Sequence, residues 1–121
     1  MPSIATWNIN SIRMRMPLLL DYLTVHKPDI LLLQEIKVET AGFPYLEIES
    51  LGYNCAVHGQ KSYNGVAILS KFPIDEVVTV LGGDEEDAQS RYIEAAIVSL
   101  PNEAWRVASV YVPKRAERGF R

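Results

Sequence analysis

Cysteine, histidine and long hydrophobic runs are scarce in this 121-residue sequence. The single cysteine, Cys55, excludes an internal disulfide framework and a multi-cysteine zinc site, which favours a reducing compartment. The apolar run Ile30–Leu33 is far shorter than the ~20 residues that cross a bilayer, and no basic segment of a secretory signal precedes it. We therefore expect a cytoplasmic protein that has no membrane partner.

An excess of positive charge is also missing. The net charge is −3, and four of the basic residues lie in the segment 114–121. General attraction to nucleic acid is therefore not predicted, although a local basic groove on an acidic protein is compatible with DNA binding. A hydrophobic fraction of 48% and a charged fraction of 22% are typical of a globular protein. A chain of this length forms at most one domain, whose core needs no disulfide or metal.

The first part of the chain alternates strand and helix patterns. Ser3–Ile9 has the β-branched and aromatic content of a strand. Apolar residues at helical spacing from Pro17 to His26 predict a helix that ends before Pro28. Ile30–Gln34 is continuously apolar and too short for a helix, so it is predicted to be a buried strand.

Strand patterns dominate the remainder of the chain. A short helix is predicted at Tyr45–Leu51, and strands are predicted at Tyr53–His58, Gly65–Ser70, Ile74–Leu81, Tyr92–Leu100 and Trp105–Val112. Turn-forming or acidic clusters separate these segments. The sequence therefore predicts an α+β fold in which the later strands pair as a meander.

Glu35 is the first candidate for chemistry because it follows the buried strand Ile30–Gln34 directly. The carboxyl ends of such strands are a common place for ligand and catalytic groups. A carboxylate there suits Mg²⁺, which prefers oxygen ligands and often takes only one or two carboxylates plus substrate phosphate. The alternative is a glutamate that only solvates the end of the strand.

Asn8 and Asn10 flank Ile9 near the end of the first strand, and strand alternation predicts that both amides lie on one face. Such a pair would orient a phosphate or a metal-bound water. Asn10 has a second interpretation, because asparagine commonly forms the turn that follows a strand. Trp7 is predicted to face the other way, into the core.

Three further candidates lie later in the chain. The loop Gly59–Gly65 contains Lys61 and Asn64, and it is interpreted either as a contact to a nucleic-acid backbone or as an ordinary exposed hairpin loop. Arg91 has the same two interpretations. Tyr111 follows an apolar strand and either presents its hydroxyl at the sheet edge or fills the rim of the core.

The order of these segments resembles bacterial exonuclease III, a nuclease and abasic-site endonuclease within the endonuclease/exonuclease/phosphatase superfamily. The resemblance covers residues 3 to 113 and is carried by five segments, namely Ile4–Arg13, Leu33–Lys37, Gly59–Ala67, Gly83–Asp87 and Val110–Pro113. It implies half of a four-layer α/β/β/α sandwich, which we expect to contain one mixed sheet with helices on one face.

The resemblance also implies roles for the candidate residues. Glu35 matches the principal Mg²⁺ ligand, with Mn²⁺ as an alternative ion, and Asn8 matches an asparagine of the metal and phosphate network. Tyr111 matches a tyrosine that contacts the scissile phosphate, and Arg91 matches a contact to the DNA backbone. The expected catalytic residues are Tyr111 and Asn8, and the expected metal ligands are Glu35 and Asn8. The expected DNA-binding residues are Arg91, Lys61, Asn64 and Asn10. The implied substrate is double-stranded DNA with abasic sites or 3′ ends.

Family members are about twice as long, and their second half supplies an Asp-x-Asn pair and a late Asp-His pair that this sequence does not contain. We therefore divide the chain into residues 1–113, half of a nuclease domain, and residues 114–121, a basic tail unlike the family. The fragment is expected to be inactive alone and to need a complementary chain. The alternative is an inert or weakly DNA-binding and Mg²⁺-binding module.

Two further expectations concern this difference from the family. In the family, an Asn-Gly step follows the position of Pro113. Deletion of one adenine from suitable codons for Lys114 and Arg115 would restore that step. We therefore expect the tail to be out of frame. In the resembled fold, one face of the strands Tyr92–Leu100 and Trp105–Val112 packs on the missing half. We therefore expect a bare apolar face here, with self-association or the binding of hydrophobic dyes.

Overall fold

A computed structural model describes residues 2–79, 90–100 and 103–112, with the backbone alone for Ser99 and Leu100. Its strands are β1 (Ile4–Asn8), β2 (Ile30–Gln34), β3 (Asn54–His58), β4 (Val66–Ser70), β5 (Ile74–Val78), β6 (Tyr92–Leu100) and β7 (Glu103–Val110). The helices are α1 (Ile12–His26) and α2 (Tyr45–Glu49), with a short 3₁₀ turn at Thr40–Gly42. The predicted residues 80–81 of the fifth strand, the acidic segment 83–87 and the tail 114–121 lie outside the described residues.

Helix α1 begins at Ile12, earlier than the predicted start at Pro17. The hydroxyl of Ser11 caps the helix by accepting a hydrogen bond from the backbone N–H of Met14 at 3.3 Å. Pro17 lies inside the helix, where its missing N–H removes the hydrogen bond to the Arg13 carbonyl. The helix ends at His26, and the next residue, Lys27, caps it with a left-handed backbone (φ 49°) before Pro28.

The strands form two sheets. The first has the order β1-β2-β4-β3, in which β1 and β2 are parallel and the other pairs are antiparallel. The second is an antiparallel meander, β5-β6-β7. The α+β class and the half-sandwich are confirmed, and the structure differs from the expectation in having two sheets rather than one mixed sheet.

The core explains why a second sheet is needed. Every residue of β4 is buried, so the first sheet is apolar on both faces and must be covered on both. Helix α1 covers one face through Ile12, Leu19 and Leu23. Strands β6 and β7 cover the other face through four residues, Ile93, Ala95, Ile97 and Val107.

The expectation of a bare apolar face is therefore wrong for the face that packs on the first sheet. Ile93, Ala95 and Ile97 are 0% exposed because the second sheet folds back over the first within the described chain. The opposite face of the second sheet carries an ion-pair network in which Arg106 contacts Glu94 at 2.6 Å and Glu76 at 3.0 Å. That opposite face also exposes Val98 (41%) and Val110 (45%), so the expected self-association stays a prediction. None of the helices in the described ranges is long and apolar enough to span a bilayer.

Candidate active site

The candidate site lies where β1 and β2 end. Because these strands are parallel, their carboxyl ends meet at one edge of the sheet, with Asn8 opposite Gln34. Backbone hydrogen bonds continue past the strands, from Ser11 N–H to the Glu35 carbonyl at 2.8 Å. Asn10 and Glu35 both have left-handed backbones, with φ of 48° and 55°. Such conformations are costly for residues other than glycine, and they cluster at functional sites.

Glu35 is the centre of the site. Asn8 donates a hydrogen bond from Nδ2 to Glu35 Oε2 at 2.9 Å, and the Lys37 ammonium lies 3.5 Å from Oε1. The pKa of the Glu35 carboxyl is lowered, first by the Asn8 hydrogen bond and further by Tyr111 and Lys37, while burial acts in the opposite direction. The carboxylate is therefore ionised at neutral pH, and 19% of its side chain remains exposed.

Tyr111 reaches Glu35 from the second sheet. It follows β7, and its backbone N–H donates to the Arg91 carbonyl at 2.9 Å. Its pKa is raised by burial, by the charge of Glu35 and by the hydrogen bond to that carboxylate, while the charge of Arg91 acts in the opposite direction. The phenol is therefore neutral, keeps its proton and hydrogen-bonds to the Glu35 carboxylate. Tyr111 also packs against the core cluster of the second sheet, so its ring fills the rim of the core while its hydroxyl faces Glu35, and its catalytic role stays a prediction.

Lys37 was not identified as a site residue from the sequence. Its Nζ donates to Asn10 Oδ1 at 2.6 Å and lies beside Glu35, so it joins the two predicted residues. Its position two residues after Glu35 was a clue, because alternate residues of a strand share a face. That rule does not apply here, since β2 ends at Gln34 and Lys37 has a left-handed backbone with a φ of 59°. Asn8 contacts Glu35 and Asn10 contacts Lys37. Because β1 ends at Asn8, the turn after the strand places Asn10 there, rather than strand alternation. Trp7 packs on the α1 side of the sheet as expected.

The loop Gly59–Gly65 borders this centre. The carbonyl of Asn64 accepts the Lys37 N–H at 2.9 Å, and the Asn64 side-chain amide donates to Gln60 Oε1 at 3.1 Å. Lys61 is exposed. The loop therefore supports the backbone that follows Glu35, and contact of its side chains with DNA stays a prediction.

A cationic cavity adjoins the site. Its volume is about 280 Å³, and its lining includes Arg13, Lys37 and Lys61 together with one carboxylate, Glu39. Arg13 lies in the first turn of α1, where the helix dipole adds positive potential. Lys37 is paired with Glu35, but Arg13 and Lys61 against Glu39 still leave the lining net positive, which favours an anionic group such as phosphate.

A buried polar joint connects the two sheets beneath Glu35 and Tyr111. Ser109 donates from Oγ to the Leu33 carbonyl at 2.7 Å and accepts from Gln34 Nε2 at 3.0 Å. Gln34 also donates to Thr6 Oγ1 at 2.9 Å. The sequence analysis did not identify this joint, although polar residues within apolar strands were a usable indication.

The oxygen ligands of the site fit a hard divalent cation in part. No group of three acidic, histidine or cysteine side chains in residues 2–79, 90–100 and 103–112 is placed to hold a metal ion. Mg²⁺ is commonly bound through one or two carboxylates, with water and substrate phosphate completing its ligands. Glu35 is ionised and partly exposed, and Asn8 lies against it, so this pair fits a Mg²⁺ ion of that kind.

The chain is similar to a known family and to proteins of that family. The model of the Endonuclease/Exonuclease/phosphatase family matches residues 5–119. Exodeoxyribonuclease III of Haemophilus influenzae is 42% identical over 90 residues, which are 74% of this chain and 34% of that protein. An exodeoxyribonuclease of Bacillus subtilis is 33% identical over 121 residues, covering 97% of this chain and 44% of that protein. The chain thus spans less than half the length of these two relatives.

Solved structures agree with the fold. The 3′ phosphatase NExo from Neisseria, bound to a product DNA hairpin, superposes with a TM-score of 0.84 at 38% identity, covering 92% of this chain and 41% of that one. An AP endonuclease from Archaeoglobus fulgidus superposes with a TM-score of 0.83 at 39% identity, covering 93% and 42%. The 2′,3′-cyclic phosphatase ANGEL2, at 20% identity over 98% and 42% of the two chains and a TM-score of 0.70, shares the fold.

Proposed function

Because the chain belongs to the Endonuclease/Exonuclease/phosphatase family, we propose that it supplies the Glu35 part of a Mg²⁺-dependent site that hydrolyses phosphodiester bonds in DNA. The observation that carries this proposal is the convergence of Asn8, Lys37 and Tyr111 on one ionised carboxylate beside a cationic cavity. The substrate is double-stranded DNA with an abasic site or a 3′ end. This choice is supported by the relatives, which are named as exodeoxyribonucleases, an AP endonuclease and a 3′ phosphatase.

Each residue has a role in this proposal. Glu35 and Asn8 hold Mg²⁺, which when bound stabilises the charge that develops on the phosphate; Mn²⁺ is an alternative ion. Lys37 neutralises Glu35 and fixes Asn10. Tyr111 carries a neutral phenol that donates a hydrogen bond, which suits it to bind an oxygen of the scissile phosphate.

The DNA backbone would lie across the cationic cavity. Arg13 and Lys61 are exposed and line it, and Arg91 is close enough to influence the pKa of Tyr111. Contacts of this kind position a duplex without reading its bases. They are also sensitive to salt, because each phosphate that is neutralised releases counterions.

Hydrolysis also requires a group that activates the attacking water. The described part of the chain places one carboxylate at the site centre, and that carboxylate is engaged with Asn8, Lys37 and Tyr111. We therefore propose that the activating group comes from a further part of the domain or from a complementary chain. Loss of an activating base typically removes ~10²–10⁴-fold of rate. The isolated 121-residue chain is expected to bind DNA and Mg²⁺ without cleaving, which is also the behaviour of the alternative, a non-catalytic binding module.

The test measures binding and nicking of a fluorescent duplex that contains one abasic site. Wild type is compared with Glu35→Ala and with Glu94→Ala, which removes the same charge from the outer face of the second sheet. We expect Mg²⁺ to strengthen binding by wild type and Glu94→Ala but not by Glu35→Ala, with no nicking above the Glu35→Ala level. Equal Mg²⁺ dependence in all three proteins would refute the role of Glu35. Nicking by wild type that Glu35→Ala abolishes would refute the need for a further group.

A separate experiment distinguishes the nuclease part from the binding module. The portion of Haemophilus influenzae exodeoxyribonuclease III that has no counterpart in this chain would be added as a second polypeptide. If this chain supplies the Glu35 part of a nuclease site, the mixture should nick the abasic duplex with Mg²⁺, and the mixture with Glu35→Ala should not. A folded mixture that binds the duplex without nicking it would favour the binding module.

A further inference from the structure

The loop Gly59–Gly65 is held against the chain that follows β2. Gly59 N–H donates to Thr40 Oγ1 at 2.8 Å, and Gln60 N–H donates to the Val38 carbonyl at 2.9 Å. A Cβ atom on Gly59 would lie 2.3 Å from that carbonyl oxygen, so the two backbones are in close contact. The beginning of the loop is therefore fixed by its own backbone.

The far end of the loop is held by the Gln60 side chain and by bonds to Ser90. Gln60 Oε1 accepts two hydrogen bonds, from Asn64 Nδ2 at 3.1 Å and from the backbone N–H of Ser90 at 2.9 Å. Ser90 is 3% exposed. Its own carbonyl accepts the Gly65 N–H at 2.8 Å, and its hydroxyl donates to the Gly59 carbonyl at 2.9 Å. Gln60 thus joins the loop to the segment that precedes β6.

Both segments that meet at Gln60 lead to the site. Asn64 receives the Lys37 N–H on its carbonyl, so the loop supports the turn that follows Glu35. Ser90 precedes Arg91, whose carbonyl receives the Tyr111 N–H. Asn64 has a left-handed backbone, with φ of 50°, which persists only where neighbouring contacts stabilise it.

We propose that Gln60 is a positioning residue that sets the Lys37 turn and the Arg91–Tyr111 segment relative to each other. This inference rests on the proposed function, because it concerns the placement of the phosphate-binding residues. Gln60 acts only as an acceptor in the two bonds described. A glutamate therefore retains both bonds, whereas methionine keeps the length of the side chain and removes them.

The first measurement uses the chain without DNA. In Gln60→Met, the Ser90 amide is expected to exchange its hydrogen about tenfold faster, because the N–H loses its partner, and the resonances of Arg91 and Tyr111 are expected to shift. In Gln60→Glu, the Ser90 amide should stay protected, because a charged acceptor strengthens the bond. Unchanged exchange in Gln60→Met would overturn the proposal. If that variant does not fold, an unchanged Ser90 amide proton shift in Gln60→Glu would do the same.

The second measurement is binding of the abasic duplex with Mg²⁺. Gln60→Met is neutral like wild type, and about fivefold weaker binding is expected because the loss of the two Gln60 hydrogen bonds displaces the phosphate contacts. The matched control is Asn54→Leu, which removes an amide with two backbone contacts, to Ser70 and Phe72, at the opposite end of the sheet. Equal weakening in both variants would assign the effect to general stability and overturn the positioning role. If wild type binds no duplex, the proposed function fails, while amide exchange still decides the role of Gln60.

Discussion

The polar joint between the two sheets offers a direct test of how the half-sandwich is held together. Ser109 is 1% exposed, and its hydroxyl makes two hydrogen bonds, to Leu33 and Gln34. Ser109→Ala removes both bonds while changing the side-chain volume little. Gln34 keeps its bond to Thr6, so only part of its bonding capacity is lost.

The expected loss of stability in Ser109→Ala follows from the two hydrogen bonds that are removed. A typical hydrogen bond contributes about 0.5–1.5 kcal/mol, and a buried polar group without a partner costs about 1–3 kcal/mol. Because Gln34 retains Thr6 and the Leu32 carbonyl as partners and a backbone carbonyl has a second lone pair, we expect Ser109→Ala to lower the free energy of unfolding by ~1–2 kcal/mol. In a domain of this size each kcal/mol shifts Tm by roughly 3–5 °C.

Urea unfolding followed by tryptophan fluorescence measures this loss. Ser50→Ala is the control, because Ser50 is exposed and its hydroxyl bonds only to the nearby Glu47 carbonyl, and its effect should stay within ~0.5 kcal/mol. A double-mutant cycle with Gln34→Met isolates the contact between Gln34 and Ser109 and should give a coupling of at least ~0.5 kcal/mol. The reasoning is refuted if Ser109→Ala matches Ser50→Ala and the cycle shows no coupling.

Other consequences concern the site and its loop. Gly59→Ala should destabilise the chain by at least ~2 kcal/mol in urea unfolding, since its Cβ would press on backbone atoms. Gly42→Ala meets only the end of the flexible Arg13 side chain and should cost less, so equal losses would contradict the structure. Asn8→Leu removes the largest cause of the lowered Glu35 pKa, so the titration midpoint of that carboxyl, followed by ¹³C NMR, should rise. The lowered pKa of Glu35 stabilises the fold above the ordinary pKa of the carboxyl, and this stabilisation is lost as pH falls through the folded pKa. In Asn8→Leu this stabilisation should be smaller. An unchanged titration midpoint would exclude the Asn8 contact.

Several elements were predictable because their pattern is local. Continuous apolarity placed β2 at Ile30–Gln34. The content of valine, isoleucine, alanine and tyrosine placed β6 at Tyr92–Leu100, and both strands have the bounds observed. Glu35 was identified from its position at a strand end, which depends only on where an apolar run stops. The start of α1 was missed because Pro17 was interpreted as its first turn, whereas the Ser11 cap decides the boundary.

Tertiary structure decided what depends on contacts between distant segments. Nothing local indicates that β6 and β7 fold back over the first sheet, because burial of both faces of β4 becomes a constraint only once strands are paired. Lys37 joins the site because left-handed turns redirect the backbone after the strands end. The sequence by itself determined which residues are apolar, turn-forming or charged. Which of them meet was determined by packing, because the bond between Tyr111 and Glu35 joins residues from two sheets.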